Sequence, residues 1–180
     1  MTPAELVALY SSFTSEAVRL ETRQYYEVPG DADRQRAYRE GQPLPARPAK
    51  SATVQLIRDA VDAGKTFARV HIVDHPLSDY VHYELDAAYP ENHAAGEQVW
   101  IVDRASHPGL AAAHRDFALF DRDTDHPSVV WYDYTPDGRL TGYTPGTPAD
   151  LAACTSLLTL ARTHALPYAD FMTSEFRKSH

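Results

Sequence analysis

Cysteine is nearly absent from this chain: Cys154 stands alone among 180 residues. A single thiol excludes an internal disulfide framework and suits a reducing compartment, so the expected location is the cytoplasm. No apolar run approaches the 18 or so residues that a membrane helix needs, and the first residues show no basic-then-apolar leader. Lysine is scarce too, with 3 against 14 arginines. No Gly-x-Ser-x-Gly elbow, glycine-rich phosphate loop or Cys-x-x-Cys pair occurs, so nucleophile-elbow hydrolases, P-loop enzymes and thiol redox proteins have no support in the sequence. Internal repeats and low-complexity runs are also missing. What is left reads as an ordinary globular composition. A chain of this length buries roughly 70% of its unfolded surface and needs no staples.

The net charge of −8 is unevenly spread. Residues 19–69 hold ten Lys/Arg against seven Asp/Glu, whereas residues 70–150 hold four against fourteen. Phosphate contacts come from clustered Lys and Arg, so the acidic half disfavours direct nucleic-acid binding.

Thr2-Pro3-Ala4-Glu5 is a capping-box start, and it predicts a helix from about 3 to 15. Glu16 to Thr22 alternates as a strand. Asp31 to Arg39 reads as a charged, exposed helix ending near Gly41, and Gln42 to Lys50, with three prolines, reads as a loop. Ser51 is the expected cap of a helix carrying Val54, Ile57 and Val61 and stopped by Gly64.

Thr66 to Asp74 is the clearest strand, and the unit that follows it, to residue 143, organises the chain. Pro76 stops the strand, Ser78 can cap a helix from Asp79 to about Ala88, and Pro90 is expected to break that helix. Gln98 to Val102 reads as a buried strand. A short helix is expected over Leu110 to His114. Strands are expected over Asp116 to Asp121 and Val129 to Tyr134, then a hairpin turn at Pro136-Asp137-Gly138-Arg139 and a return strand over Leu140 to Tyr143. Thr147 opens a helix with Leu151, Cys154, Leu157, Leu158 and Ala161 on one face. Pro167 ends that region, and a short amphipathic turn or two is expected from Tyr168.

Several of these segments together resemble a known family: Val18-Arg19-Leu20-Glu21-Thr22, Pro76-Leu77-Ser78-Asp79-Tyr80, Ala95-Gly96-Glu97 with Trp100, and Asp116-Phe117-Ala118-Leu119-Phe120-Asp121. The chain is similar over about residues 5–145 to a domain-of-unknown-function family of high-GC Gram-positive bacteria. That family has an F-R-L-E-T, P-L-S-D-Y-x-R-F-E, A-G-E-x-I-R-W and D-F-W-L-F-D pattern. Here His82 and Tyr83 stand in place of its R-F, and Ala118 replaces an aromatic residue. The resemblance implies a cytoplasmic domain often encoded beside helix-turn-helix regulators, and it brings no catalytic residue with it. A second, weaker resemblance joins His114-Arg115-Asp116 through Asp121 to the H-x-K-x-x-x-x-D element of phospholipase D-like domains. Asp116 occupies the lysine position, which implies a degenerate, non-catalytic copy used for effector binding or dimerisation.

The candidate ligand-binding residues are Ser78, Asp79, Tyr80, Tyr83 and Glu84 at the end of the central strand. For an anion-binding role Arg19, Arg23 or Arg69 would have to reach them, and Glu21, Trp100 and Asp116 come from the family segments. Asp79/Tyr83 and Tyr80/Glu84 lie one helical turn apart, a spacing that allows acid–base pairing where burial shifts a carboxylate pKa. Asp121, Asp123 and Asp125 match the first three positions of a calcium loop. The match then fails, because His126 replaces the turn glycine and Tyr132 the twelfth-position glutamate. His71 and His75 share a face only if the strand continues past Pro76. No metal and no cofactor are expected.

The expectation is therefore a single domain over 1–180, with a core of about 5–163 and a C-terminal extension, 164–180. The fold class is α+β (mixed α/β), with a central, mostly antiparallel sheet of about five or six strands and helices packed on it. The expected role is binding or regulation through a regulator protein or a small-molecule ligand, with no membrane and with a homodimer allowed. The rival role is an enzyme acting on a small polar or phosphate-containing substrate at the Ser78/Asp79 end of the strand. An aromatic-lined pocket holding a carboxyl of raised pKa would favour the enzyme, and a flat apolar contact between chains would favour the binder.

Overall fold

The structure, a computed structural model, describes residues 1–28, 30–46 and 52–178, with side chains as far as residue 175. The expected Ser51 cap and the end of the proline loop, 47–50, lie outside the described residues. In chain order the elements are α1 (Pro3–Ser12), β1 (Glu16–Glu21), α2 (Ala32–Arg39), α3 (Ala52–Asp62), β2 (Thr66–Val73), α4 (Asp79–Tyr83), a π-turn (Glu84–Ala88), α5 (Tyr89–Ala94), β3 (Gln98–Asp103), β4 (Phe117–Phe120), β5 (Ser128–Tyr134), β6 (Leu140–Pro145), α6 (Pro148–His164), β7 (Leu166–Pro167) and α7 (Tyr168–Lys178).

The strands form one sheet in the order β6-β5-β4-β1-β2-β3-β7. The β1–β2 and β2–β3 pairs are parallel, and the other four pairs are antiparallel. This is the mixed α+β, mostly antiparallel architecture that the sequence predicts, with β7 as a two-residue addition. Parallel neighbours need a crossover connection, supplied by α2 and α3 between β1 and β2, and by α4 and α5 between β2 and β3.

Each face of the sheet has its own layer. Val18, Leu20, Val70 and Ile72 point to one side and pack with Cys154, Leu158 and Ala161 of α6. The other side is split. Near the start of β1 and β2, Ala17 and Phe67 pack against Leu6 of α1 and Val54 and Ile57 of α3. Beside β3, Val99 and Ile101 pack against Val81 and Leu85 of the interrupted helix and Phe171 of α7. Between these two apolar patches the same face carries Arg19, Glu21, Arg69 and His71, and the candidate site is built there. The register fixes this placement, because Arg19 pairs with Arg69 and Glu21 with His71 across the parallel strands.

The expected capping box of Thr2 with Glu5 is present, and Thr147, the expected start of the later helix, forms a second one with Asp150. Pro90, in contrast, does not break the helix. The chain stays helical to Ala94 because the π-turn shifts the hydrogen bonding just before it, Tyr89 N–H donating to the Glu84 carbonyl five residues back. A π-register amide at 90 would have bonded the Leu85 carbonyl, and proline has no amide. The Tyr168 hydroxyl donates to that carbonyl instead, at 2.6 Å.

Three further segments differ from the sequence reading. Residues 104–106 and 108–110 form short 3-10 turns where a short helix over 110–114 was expected. The charged helix α2 is docked rather than exposed throughout: Arg34 is buried and bonds Glu91 of α5 at 2.8 Å. Residues 166–173 continue the fold, with β7 pairing on β3 and Phe171 buried.

Candidate functional site

Arg19 and Glu21 of β1 and Arg69 of β2 form the floor of a cavity of about 610 Å³. The interrupted helix supplies one wall, with Tyr80, Glu84, Ala88, Tyr89 and Asn92. Strands β5 and β6 supply the opposite wall, with Tyr132, Tyr134 and Tyr143. Tyr26 and Asp31, from the segment after β1, close a third side. Six tyrosines therefore line the space, and its volume falls in the range of small-molecule pockets.

The floor is an ionic network. Glu21 is 2% exposed and takes Arg69 Nη1 on both oxygens, at 2.8 and 2.9 Å. Arg69 Nε donates to Glu97 at 3.1 Å. Arg19 Nε lies 3.1 Å from Glu21, although its N–H is not aimed well enough to count as a hydrogen bond. Arg19 Nη2 donates to the Tyr134 hydroxyl at 2.8 Å and lies 3.8 Å from Asp116. The Arg19 guanidinium stacks over Tyr132, 4.4 Å from the ring centre. Asp116 is fully enclosed and accepts from Thr22 N–H, the Thr22 hydroxyl and the Tyr26 hydroxyl, at 2.8, 2.8 and 2.6 Å.

His71 sits where β2 meets this network. Its Nε2 faces the Arg23 carbonyl at 2.8 Å. A carbonyl only accepts, so the hydrogen-bond network assigns the proton to Nε2. Burial holds His71 below its ordinary pKa, so the ring is neutral and Nδ1 accepts from Tyr89, 2.7 Å away. The single Tyr89 proton thus faces three acceptors: His71, Glu21 at 3.1 Å and Glu84 at 3.4 Å. A second proton in the cluster relieves this competition, and Glu84 is where it sits. Burial, reinforced by the Glu21 charge, pushes the Glu84 carboxyl up to about 8. For Glu21 burial acts in the same raising direction, but Arg19 and Arg69 outweigh it and hold the group well below the usual carboxylate range. Burial also raises Asp116, against the pull of Arg19. Two carboxyls 3.1 and 3.4 Å from one hydroxyl thus prefer opposite protonation states, the pattern of an acid beside a fixed charge.

The ten candidate residues fall into separate places. Arg19, Glu21, Arg69, Tyr80 and Glu84 line the cavity, and Asp116 is tied to it through Arg19 and Tyr26. Ser78, Asp79 and Tyr83 line a smaller hollow of about 220 Å³ on the other side of Tyr80, beside Gln24, Gln35 and Arg39. Arg19 and Arg69 point to the Glu84 side. Ser78 caps its helix, accepting from Val81 N–H at 3.1 Å and donating to the Gln24 carbonyl at 2.6 Å. Trp100 lies on the opposite face of the sheet, in register with Val70, under Arg162.

Tyr26, Tyr89, Tyr132 and Tyr134 stand out in the sequence only as part of its aromatic content, and nothing there joins them to His71 or Glu97. The available signal was Arg69 and His71, polar residues at alternate positions in an otherwise apolar strand. His75 lies beyond the strand, near Asp103, so it shares no face with His71. Asp121 does not lead a calcium loop. Its carboxylate accepts from the amides of Thr14, Ser15 and Glu16 at 2.9, 2.7 and 3.3 Å. Among the described residues no group of three or more His, Cys, Asp or Glu is arranged to hold a metal ion, and no helix is long and apolar enough to cross a membrane. Cys154 is buried on the sheet-facing side of α6, and burial pushes its thiol up to about 12.

A family described as "Domain of unknown function (DUF6879)" matches residues 4–173. The chain belongs to that family. No curated protein matches it significantly. The match spans every element from β1 to β7, so the cavity floor, both its walls and α6 all fall inside the family region.

Proposed function

We propose that this DUF6879 domain binds a small molecule in the tyrosine-lined cavity above Glu21 and Glu84. The observation that carries the reading is the buried ionic floor opening into a concave, aromatic space. Exchanging a buried charge network for packed hydrophobic residues is commonly neutral or stabilising. Stability therefore gives no reason to keep Arg19, Glu21, Arg69 and Asp116 together, and a ligand does. A cytoplasmic location, a single domain and a regulator protein that responds to the bound state extend the same proposal. Those parts rest on the sequence and on the family resemblance.

A second reading, an acid–base enzyme, is favoured by one observation: two buried carboxyls, Glu21 and Glu84, share the Tyr89 hydroxyl at 3.1 and 3.4 Å. It moves the reacting centre from the Ser78/Asp79 end, where Ser78 is occupied in capping, to Glu84. A saturation-transfer NMR fragment screen tests the main proposal, with Ala88→Phe as the blocked control, because Ala88 lines the cavity. Hits that bind the wild type and are lost in Ala88→Phe support it. Hits indifferent to Ala88→Phe, or no hits at all, refute it.

A further inference from the structure

We infer that the ligand of this cavity is a cation, an amine or quaternary ammonium, for which Glu84 is the counter-charge. The inference rests on the cavity being a ligand site, and it adds the ligand's chemical class.

Arg69 is matched by Glu21 and Glu97, and Arg19 by Glu21 and Asp116. Arg19 and Arg69 face three carboxyl groups between them, Glu21, Glu97 and Asp116, so the network has no surplus positive charge to offer an anion. Glu84 differs. It is 5% exposed, it accepts from the Tyr80 hydroxyl at 3.1 Å and faces the Tyr89 hydroxyl at 3.4 Å, and the basic group paired with it is His71 at 3.6 Å. That ring is neutral, because burial disfavours its charge. Among the described residues no arginine or lysine is recorded within ion-pair distance of Glu84, and a buried carboxyl so placed on the wall of a cavity is the complement of a positive ligand.

The tyrosines fit the same ligand. Their hydroxyls are directed into the walls: Tyr26 to Asp116, Tyr80 to Glu84, Tyr134 to Arg19. One face of Tyr26, Tyr132 and Tyr134 already carries an arginine guanidinium, so a guest meets the uncovered ring surface of these residues and of Tyr80. Tyr26 meets Tyr80 and Tyr134 edge-on, with centres 5.8 and 5.4 Å apart, so the rings meet at steep angles as the walls of a box. Aromatic boxes with a carboxylate on one side stabilise ammonium groups through the ring quadrupole.

A cationic guest must convert Glu84 to its carboxylate. The titratable groups facing Glu84 are Glu21 and Arg19 from β1, Arg69 and His71 from β2, and Tyr80 and Tyr89 from its own helix. Among them Glu84 is the one that changes charge near neutral pH. Binding therefore expels a proton, and affinity rises with pH up to about 8.

Isothermal titration of the full chain tests this, with tyramine and choline as cations, benzoate and inorganic phosphate as anions, and benzyl alcohol as the neutral probe. Each is run at pH 6.5 and 7.5 in two buffers of different ionisation heat. The expected result is that the cations bind, that their affinity rises roughly tenfold over that pH unit, and that close to one proton is released. Glu84→Gln, which keeps the shape of the side chain, should weaken the cations at least tenfold and abolish the proton release. Equal cation binding by Glu84→Gln, or binding of an anion or the neutral probe in preference to the cations, overturns the inference while the cavity stands. Silence from all five probes overturns it as well, and silence from the fragment screen in addition overturns the cavity.

Discussion

Glu84→Gln should change how the stability of this domain depends on pH, and the direction follows from the protonation of the cluster. The folded state holds a proton on Glu84 up to about pH 8, whereas the ordinary value is 4.5. Between those values the folded state binds the extra proton, so stability falls as pH rises. Neighbouring groups act elsewhere or cancel. His71, held below 6.5, makes stability rise with pH only up to that value. Glu21, held low, loses its contribution only as pH falls through the acid range below 4.5. Asp116 has the sign of Glu84, starting from 3.8, and is common to both proteins. The window from pH 6.5 to 8 therefore isolates Glu84. At about 1.4 kcal/mol per pH unit, the wild type should lose about 2 kcal/mol across it relative to Glu84→Gln. That is a large share of the total for a domain whose stability is of order 5–15 kcal/mol. Urea unfolding at half-unit pH steps, read by the fluorescence of Trp100 and Trp131, measures the difference. Parallel pH profiles for the two proteins, or a wild type that gains stability on Glu84→Gln towards pH 8, would refute the protonation scheme.

Other outcomes follow from the packing. Arg69→Met should cost about 3–5 kcal/mol, because it leaves Glu21 and Glu97 buried without their common cation; the same urea curves report it. Phe171→Ala should cost about 3–5 kcal/mol and expose the β3 edge to hydrogen exchange, because Phe171 is packed with Val99 and Ile101; a change under 1 kcal/mol would mean that α7 is only loosely attached. Gly96→Ala should lower the melting temperature by several degrees. Gly96 has φ +103°, and an added Cβ would lie 2.9 Å from a Val61 methyl.

Much of the fold is legible in local chemistry. Thr2-Pro3-Ala4-Glu5 and Thr147-Pro148-Ala149-Asp150 mark helix starts because the capping atoms lie within four residues of each other. The Asp137-Gly138 turn marks its hairpin because Gly138 takes φ +88°. The site is less legible because it is made by pairing at a distance. Nothing near Arg19 says that β1 runs parallel to β2 in a register that stacks it on Arg69, or that β4 brings Asp116 to its other side. The stretch Pro76 to Glu84 reaches the cavity through Tyr80 and, at its end, Glu84. The turn of the helix separates it from Ser78 and Asp79, so adjacency in sequence joins two different surfaces. Pro90 misleads for a related reason. A proline's effect depends on which carbonyl loses its amide partner, and here Tyr168, 78 positions further on, meets that carbonyl.

The central claim is that the cavity above Glu21 and Glu84 is where this domain meets its ligand. A crystal structure of the protein soaked with tyramine at pH 8 tests it most directly. The account predicts an ammonium group within about 3 Å of a Glu84 oxygen, surrounded by Tyr26, Tyr80 and Tyr134, with Arg19 and Arg69 still paired to Glu21. Tyramine in the hollow beside Ser78 and Asp79, or a cavity left empty at saturating tyramine, would contradict it.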